Sequence, residues 1–344
     1  MRSPGSPPPS DVPADTILYL SGRDLEHALE AIDPVEAVAA ALTAHARGQT
    51  VLPAEAYLPW THAGETLRSL SMPGVVERCA GVKVINANPA NPARGLPRAS
   101  GLTILFEAET GRPLCVMEAQ RISCLRTAAV TALATRLLGA DQIERIALLG
   151  AGALARCHLQ LLPNRLPDLR EIRLYDLARA RAAALAASTD DDRIAVYDSA
   201  EQTIRGAQLV VPVTTATSGY IRYDWLEPGA LLVNVSLDDP LPEVVLRADK
   251  VFVDDWPLVA ADERRLLGRM LRAGQICGPD DVTGGRKAID GELGQLLTDA
   301  VDGRARTSDI ILVNPFGLAI EDIAVASRVH RRAVDLGLGT ELDR

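Results

Sequence analysis

A short apolar run followed by a glycine-rich turn most constrains what this chain can fold into. The segment RIALLGAGALARCHLQ starts at Arg145 and passes from a strand-like pattern through Gly150 and Gly152 into a helical pattern. A G-x-G-x-x-A turn between a buried strand and a helix is the fingerprint of a dinucleotide-binding unit. Most proteins built on this unit begin with it, but here more than 140 residues precede the fingerprint. Those residues must form another part of the fold.

The composition predicts a soluble globular protein. The chain has 344 residues, 47% of them hydrophobic and 24% charged, which gives room for two domains with their own cores. A net charge of −9 and an aromatic share of 3% argue against a nucleic-acid partner. No apolar run approaches the roughly 20 residues that span a membrane, so no membrane partner is expected.

Cysteine and histidine spacing does not indicate a metal site. The five cysteines form no CxxC pair, and the five histidines form no pair at ligand spacing. Reduced thiols and a cytoplasmic location are the simple interpretation. Residues 1–15, rich in proline and serine, have no apolar core of a signal peptide and are expected to be a disordered lead-in.

The first part of the chain is expected to be helical and then β-rich. A capping box at Ser21 precedes one helix, while a second begins at Pro34 and stops at Gly48. Residues 50–118 read as short strands and include a hairpin that turns at residues 109–113. A long apolar helix over residues 121–139 then leads to the nucleotide-binding unit.

From Glu144 the pattern alternates between apolar strands and helices or loops. Such alternation predicts an α/β fold with a parallel sheet covered on both faces. A final helix over residues 317–337 is expected to pack back on the first domain. The predicted strands are RIALLG, EIRLYD, RIAVYD, QLVVPVT, ALLVNVS, KVFVDD and DIILVN.

Asp176 strengthens the fingerprint because it ends the next predicted strand, 26 residues after Gly150. An acidic side chain there accepts hydrogen bonds from both ribose hydroxyls and repels a 2′-phosphate. NAD is therefore the expected cofactor, with Arg179 and Arg181 moderating the preference over NADP. The alternative is a Rossmann-like domain without a cofactor.

Several cations lie where an acidic small molecule can be bound. Lys83, Arg94 and Arg98 fall within 16 residues of one another, among glycines and prolines, and Arg126 lies on an otherwise apolar helix. A cation in such surroundings either reaches solvent or binds an anion. Taken one by one, these charges are more often solvated or in structural ion pairs.

Asp238 and Asp239 follow the predicted strand ALLVNVS, at the sheet edge where α/β proteins bind ligands. A carboxylate there can act as a general base toward an amine or water. The alternative is an aspartate that only caps a loop or helix. No serine lies in a GxSxG turn, so Ser-His-Asp hydrolase chemistry is not indicated.

The order of MPG…VKV, RASG, RTAA, GAGALARCH, NVSLDDPLPE and NPFGLAIEDIA resembles the ornithine cyclodeaminase/μ-crystallin family. The resemblance begins near Ile17 and covers nearly the whole chain. It implies a Rossmann NAD-binding domain over residues 129–315, inserted in a β-rich substrate-binding and dimerisation domain formed by residues 16–128 and 316–344. This insertion explains the late fingerprint and implies a homodimer.

Within the family, the motifs RGLPRAS, NVSLDDPLPE and VNPFGLAIEDIA are most similar to the branch that makes L-2,3-diaminopropionate for siderophores and peptide antibiotics. Those enzymes use NAD⁺ to oxidise N-(1-amino-1-carboxy-2-ethyl)-glutamate, an amino-acid-derived polycarboxylate, and release 2-oxoglutarate and diaminopropionate. The family's cyclodeaminases carry a Gly-Gly-Asp-Cys-like turn where this chain has Leu237-Asp238-Asp239-Pro240, which argues against ornithine cyclisation. The branch often has an arginine at the place of Pro59, a role that Arg68 is expected to cover.

The resemblance also implies a role for individual side chains. Asp239 and Lys83 are expected to be catalytic, and Lys83 also to bind substrate. Further substrate contacts are expected from Arg68, Met72, Arg98 and Arg126. Cofactor contacts are expected from Thr127, Gly150, Gly152, Ala153, Leu154, Asp176, Thr214, Ser236 and Asn314.

Three alternative functions keep the same chemistry but change the substrate: a cyclodeaminase, an alanine-type dehydrogenase and a ketimine reductase. A further alternative is a protein that binds NAD and a ligand but turns over poorly, as μ-crystallin relatives can. The presence of Lys83, Arg126 and Asp239 together argues against it, because binding alone does not need the aspartate.

Overall fold

The computed structural model describes residues 16–281 and 286–344. The disordered lead-in expected at residues 1–15 lies outside these residues. The chain divides into two compact units. In the described part, the first unit comprises residues 16–33, 49–123 and 319–344, and the second comprises residues 34–48 and 124–318.

The helices carry the labels used below, in chain order. They are α1 (Gly22–Leu29), α2 (Pro34–Ala46), α3 (Ala119–Leu138), α4 (Ala153–Leu161), α5 (Arg179–Ala187), α6 (Ala200–Ile204), α7 (Pro242–Arg247), α8 (Trp256–Ala261), α9 (Leu266–Arg272), α10 (Leu293–Leu297) and α11 (Ala319–Leu336). Short 3₁₀ turns lie at Asn91–Arg94, Pro163–Arg165 and Tyr223–Trp225. In the described residues, no helix combines the length and the apolar character that crossing a membrane requires.

The strands are numbered in the same way. They are β1 (Thr16–Leu20), β2 (Ala56–His62), β3 (Glu65–Val76), β4 (Cys79–Ala87), β5 (Ala99–Glu107), β6 (Pro113–Glu118), β7 (Arg145–Leu149), β8 (Glu171–Tyr175), β9 (Ile194–Val196), β10 (Leu209–Pro212), β11 (Leu231–Val233), β12 (Lys250–Val253), β13 (Ile276–Cys277), β14 (Lys287–Ala288), β15 (Gly291–Glu292), β16 (Ile311–Val313) and β17 (Thr340–Asp343).

The first unit is built on a mostly antiparallel sheet in the order β17-β1-β6-β5-β4-β3-β2, with β1 parallel to β6. Helix α11 packs against β3, β4 and β5. Two glycines allow this close approach, since a Cβ on Gly74 or Gly81 would lie 3.3 or 3.1 Å from the Ile323 side chain. The C-terminal helix therefore completes the core of a unit that the chain left at Ser123, some 200 residues earlier.

The second unit is built on a parallel sheet in the order β15-β12-β16-β11-β10-β7-β8-β9. The strands that follow β7 in the chain run first to one side, as β8 and β9, and then to the other, beginning with β10. The direction reverses between β7 and β10, and open α/β sheets bind ligands at such a point, beyond the carboxyl ends of the strands.

The predicted α/β fold class, with a parallel sheet interrupting a β-rich unit, is confirmed. The local signals also act as expected: Ser21 forms a capping box with Asp24, and Gly48 ends α2 with a φ of 68°. The units differ from the expected domain bounds at residues 34–48, which were expected in the β-rich domain but fall in the second unit. The cause of this difference is visible at Gly294 of α10, where a Cβ would lie 2.6 Å from the Leu42 carbonyl oxygen of α2.

Candidate active site

The glycine turn follows β7 at the carboxyl edge of the parallel sheet. Gly150 has a φ of 102°, and a Cβ there would lie 2.9 Å from the Val213 carbonyl oxygen, so both conformation and space require glycine. Gly152 is the N-cap of α4 and supplies no side-chain cap, which leaves the first-turn N–H groups of Ala153 and Leu154 facing outward from the helix end. A helix start of this kind favours an anionic ligand.

Asp176 lies directly after β8, beside this turn. Its Oδ2 accepts a hydrogen bond from the Ala151 N–H at 2.8 Å, and its Oδ1 accepts one from the Ala178 N–H at 2.9 Å. Each carboxylate oxygen keeps a second lone pair for another donor. Leu177, the next residue, has a side chain that is 93% exposed. An acid held by backbone donors next to an exposed apolar side chain suits a ribose and its base.

Asp239 is fully buried beyond β11, in the same edge of the sheet. Its Oδ1 accepts hydrogen bonds from the Thr214 hydroxyl at 2.6 Å and the Tyr220 hydroxyl at 3.0 Å. Its Oδ2 has no hydrogen-bond partner among the residues that the structure describes. Burial raises the pKa of Asp239, and the hydrogen bonds from the surrounding hydroxyls oppose that rise. A buried carboxylate with a shifted pKa is a candidate for proton exchange.

Asp238 has a different environment from its neighbour. Its Oδ1 lies 2.9 Å from an Arg269 nitrogen and its Oδ2 lies 3.5 Å from one of Arg265. Both arginines belong to or adjoin α9. Asp238 therefore anchors this helix, and its two carboxylate oxygens are already paired with cations.

Two asparagines and a serine complete this edge. The Asn234 amide donates to the Asn314 side-chain oxygen at 2.6 Å, and the two residues directly follow the neighbouring strands β11 and β16. The Asn234 side-chain oxygen and the Ser236 hydroxyl are buried, and neither has a hydrogen-bond partner within the described ranges. Buried polar atoms without partners are rare in folded proteins and mark places where a ligand can bind.

Arg126 lies in the middle of α3 with its side chain buried. A Cβ on Gly317 would lie 2.6 Å from an Arg126 guanidinium nitrogen, and Gly317 has a φ of 91°. The backbone at this position is held by Asp254, whose carboxylate accepts the Phe316 N–H at 2.7 Å and the Gly317 N–H at 2.6 Å. Burial raises the pKa of Asp254 to about 6, and these backbone donors act against the rise. Thr127 follows Arg126 on α3 and is half-buried.

In the first unit, the register of β3 and β4 brings Arg68, Met72 and Lys83 to one face of the antiparallel sheet. Met72 is paired with Lys83, and Arg68 lies four residues from Met72 on the same strand. Lys83 is buried, and its Nζ lies 2.6 Å from Asp322 Oδ2 of α11 and 3.3 Å from the Ser123 hydroxyl. The predicted substrate lysine is thus the cation of a buried ion pair.

The remaining predicted cations lie in and beside the loop between β4 and β5. Arg98 ends this loop, which its carbonyl oxygen closes by accepting the Asn88 N–H at 2.9 Å. Arg94 instead forms an exposed ion pair with Glu65. Asn88 donates to the same carboxylate at 2.8 Å. Arg94 therefore has the structural role that was the alternative for these charges.

Four side chains of this architecture have no role predicted from the sequence: Tyr220, Asn234, Asp254 and Asp322. Asp254 could have been found from the sequence, since it lies near the end of the predicted strand KVFVDD, much as Asp176 ends EIRLYD. Asp322 lies within NPFGLAIEDIA, one of the motifs that carry the family resemblance. Across the described residues, no cluster of three or more His, Cys, Asp or Glu side chains can hold a metal ion.

Comparison with known proteins gives matches over nearly the full length. The N-((2S)-2-amino-2-carboxyethyl)-L-glutamate dehydrogenase of Staphylococcus aureus is 32% identical, over 95% of this chain and 98% of its own. The crystal structure of CmnK is 39% identical with a TM-score of 0.88, over 96% and 98% of the two chains. The structure of an archaeal alanine dehydrogenase dimer with bound NAD is 26% identical with a TM-score of 0.80, over 95% and 99%.

A family profile covers most of the chain as well. Residues 18–337 match the profile of the ornithine cyclodeaminase/mu-crystallin family. The expected resemblance is confirmed, and so is the interpretation of the late glycine turn as part of an inserted parallel-sheet unit. This chain belongs to the ornithine cyclodeaminase/mu-crystallin family.

Proposed function

We propose that the protein is an NAD-dependent dehydrogenase that oxidises the C–N bond of N-((2S)-2-amino-2-carboxyethyl)-L-glutamate and releases 2-oxoglutarate and L-2,3-diaminopropionate. The observation that carries the proposal is the buried Asp239 carboxylate, with an unpartnered Oδ2, in the same sheet edge as the glycine turn. The Staphylococcus aureus relative supports the substrate. A role in siderophore or peptide-antibiotic supply follows from the product.

The cofactor site fits NAD on features of this chain. The Gly150 turn and the open start of α4 suit the pyrophosphate, and Asp176 suits the adenine ribose. Bound NAD⁺ supplies a hydride acceptor. The predicted contacts from Thr127, Ser236 and Asn314 remain part of the proposal. Thr214 differs, because its hydroxyl proton is directed to Asp239.

Asp239 is the residue that handles protons. Oxidation of the glutamate Cα removes a hydride from carbon and a proton from nitrogen, giving an imine. Asp239 accepts the proton from the substrate nitrogen and then helps water add to the imine carbon. It returns a proton to the leaving nitrogen as the carbinolamine collapses to 2-oxoglutarate and diaminopropionate. A raised pKa suits a group that must both take and give a proton near neutral pH.

The substrate carries three carboxylates, which explains buried cations in an acidic protein. Arg126 offers a guanidinium whose position is fixed by Gly317 and Asp254, and it is proposed to bind one carboxylate. Arg68, Met72, Lys83 and Arg98 remain predicted substrate contacts. Holding a polyanion at several points fixes its reacting carbon, which is an orientation effect.

The outer face of the antiparallel sheet is proposed to form a homodimer. This face carries the half-exposed apolar side chains Tyr19, Leu58, Trp60, Leu102 and Leu342. Contiguous exposed apolar area on a sheet marks an interaction surface. The related archaeal alanine dehydrogenase is described as a dimer. Light scattering on the purified protein tests this directly, and a monomer at micromolar concentration would refute it.

The function is tested with purified protein, NAD⁺ and the synthetic glutamate–diaminopropionate adduct. NADH is followed by absorbance, and 2-oxoglutarate and diaminopropionate are quantified by mass spectrometry. We expect equal amounts of the three products. L-Alanine, L-ornithine and L-lysine with NAD⁺, and cyclic ketimines with NADH, are the competing substrates. Faster turnover of any of these would replace the proposed substrate, and NAD binding without turnover would favour a binding protein.

A further inference from the structure

Tyr220 contacts Asp239 through both its main chain and its side chain. The Tyr220 N–H donates to the Asp239 carbonyl oxygen at 2.7 Å, and the Ile221 N–H donates to the same oxygen at 2.9 Å. The Tyr220 hydroxyl donates to Asp239 Oδ1 at 3.0 Å. Residues 219–221 thus form a short bridge alongside Asp239 and Pro240, and this bridge ties the tyrosine to the carboxylate that it contacts.

The backbone on both sides of this contact has features that allow the two segments to lie close together. A Cβ on Gly219 would lie 2.5 Å from the Pro240 carbonyl oxygen, so only glycine lets the two segments meet. Leu237, two residues before Asp239, has a φ of 76°, an uncommon conformation for a leucine. Backbone strain of this kind is retained where the surrounding structure enforces it, often at functional sites.

The hydrogen bonds to Asp239 are unequally divided between its two oxygens. Thr214 and Tyr220 both donate to Oδ1, and the Ala216 N–H donates to the Thr214 oxygen at 3.0 Å. The last bond directs the Thr214 proton toward Asp239. Oδ2 is buried and accepts no hydrogen bond from the described residues, although the Ser236 hydroxyl lies close enough to the carboxylate to lower its pKa. One oxygen is held, and the other is left to react.

We infer that Tyr220 is a positioning residue for Asp239: together with Thr214 it fixes Oδ1, so that Oδ2 is the oxygen that takes and returns the proton. The inference deepens the proposed function and rests on it for the catalytic consequence. Tyr220 itself does not transfer the proton, because its own proton is committed to Oδ1.

The groups around Asp239 determine how its pKa should respond to loss of the Tyr220 hydroxyl. Burial has the largest effect on the pKa of Asp239 and raises it. The hydroxyls of Ser236, Thr214 and Tyr220 lower this pKa, in that order, and the charge of Asp238 raises it by a smaller amount. Asp238 is itself faced by Arg269 and Arg265. Burial and the Asp239 charge raise the pKa of Tyr220, with a smaller effect from Tyr175, so the tyrosine remains a donor at ordinary pH. Loss of the Tyr220 hydroxyl must therefore raise the pKa of Asp239.

The test compares Tyr220→Phe with the matched control Tyr223→Phe. Tyr223 lies three residues away with its ring 3.9 Å from the Arg247 guanidinium, and its hydroxyl has no hydrogen-bond partner within the described ranges. Infrared difference spectra over a pH titration follow the carboxyl C=O stretch of Asp239, which Asp239→Asn identifies by removing it. This readout needs neither cofactor nor substrate. The pH profile of kcat/KM is measured alongside it.

We expect Tyr220→Phe to move the Asp239 titration upward by about one pH unit, the size expected for losing a hydrogen bond to a charged group. The acid limb of kcat/KM should move by the same amount, and the rate at high pH should approach that of the unsubstituted protein. Tyr223→Phe should change neither. An unchanged titration in Tyr220→Phe overturns the inference, as does an equal loss of rate at every pH. A shifted titration in a protein inactive on the adduct would refute the proposed function and leave the inference standing.

Discussion

The ammonium of Lys83 lies 2.6 Å from Asp322 Oδ2, and both side chains are buried in the first unit. The two residues are 239 positions apart and come from β4 and α11. The pair therefore joins the two chain segments between which the parallel-sheet unit is inserted. Taking a lysine out of water is costly unless a carboxylate compensates it, so Asp322 is what allows a charged Lys83 in this position.

Asp322→Asn should leave Lys83 buried with no full counter-charge, and we expect it to lower the free energy of unfolding by about 3–5 kcal/mol. The double variant Lys83→Met with Asp322→Leu removes both charges and should recover most of that loss. It should have no activity on the adduct, because Lys83 is a predicted substrate contact. Urea unfolding of the single and double variants measures the free energy of unfolding, and initial rates with the adduct measure activity. An Asp322→Asn protein as stable as the starting one would show that the pair does not support the fold.

The fold was largely predictable because its signals are local. Apolar strands, the capping box at Ser21 and the glycine at position 150 each act on neighbouring residues, and each was found from the sequence. β1 and β17 were not predicted. β17 is the short edge strand of the sheet and β1 lies beside it, and their pairing joins residues at opposite ends of the chain, such as Thr16 with Asp343.

The sequence predicted which residues belong to the candidate site but not which side chains they contact. Asp239 and Lys83 were singled out by motif, whereas their contacts Tyr220 and Asp322 were not, because sequence separations of 19 and 239 residues leave no periodic pattern. Arg94 shows the reverse case. A charge in a suggestive loop turned out to pair with Glu65, which lies 29 residues earlier.

Asp239→Asn keeps the size and polarity of the side chain but removes the base. We expect kcat to fall by about 10²–10⁴-fold, since proton transfer by a positioned group contributes that much. NAD binding, measured by fluorescence, should be retained. Asp238→Asn is the control: it weakens contacts with Arg269 and Arg265 and should reduce kcat only a few-fold. Loss of turnover in Asp238→Asn alone would move the catalytic role to that residue.

Gly317→Ala should mimic the loss of Arg126. The new Cβ would lie 2.6 Å from a guanidinium nitrogen, so the arginine must move. Arg126→Ala should cost about 2–5 kcal/mol in substrate binding and appear mainly in KM, because the carboxylate is present before and during reaction. Gly48→Ala controls for backbone strain, since Gly48 has a φ of 68° but open space around it. Steady-state kinetics decide the prediction, which fails if Gly317→Ala raises KM no more than Gly48→Ala.

Asp176 should make the protein prefer NAD over NADP by at least about tenfold, because its carboxylate repels a 2′-phosphate. Asp176→Ser removes the charge and should narrow or reverse the preference. Asp198→Asn is the control, since Asp198 pairs with Arg179 in an exposed bridge nearby in the chain. Fluorescence titration with NADH and NADPH measures the two affinities and therefore the preference. Tighter NADPH binding by the unsubstituted protein would contradict the assignment.

His45 near the end of α2 makes the stability of the second unit depend on pH. Its Nε2 lies 2.9 Å from Asp255 Oδ2, while Asp255 Oδ1 accepts the Leu258 N–H at 2.7 Å to cap α8. The hydrogen bond to Asp255 raises the pKa of His45 above its usual 6.5, against an opposing effect of burial and with help from the charges of Glu292 and Asp254. A histidine whose pKa is raised by folding stabilises the protein fully below pH 6.5, and this contribution is lost as the pH rises through the higher folded value.

We therefore expect the free energy of unfolding to fall by about 1–2 kcal/mol as the pH rises across that window, the size of a hydrogen bond to a charged group. His45→Gln should abolish this part of the pH dependence and resemble the unsubstituted protein at high pH. His27→Gln, on the exposed side of α1, should leave it unchanged. Urea unfolding of the three proteins on both sides of the window measures the difference. Equal slopes for His45→Gln and the unsubstituted protein would show that the histidine is neutral throughout, and that Asp255 serves only as the cap of α8.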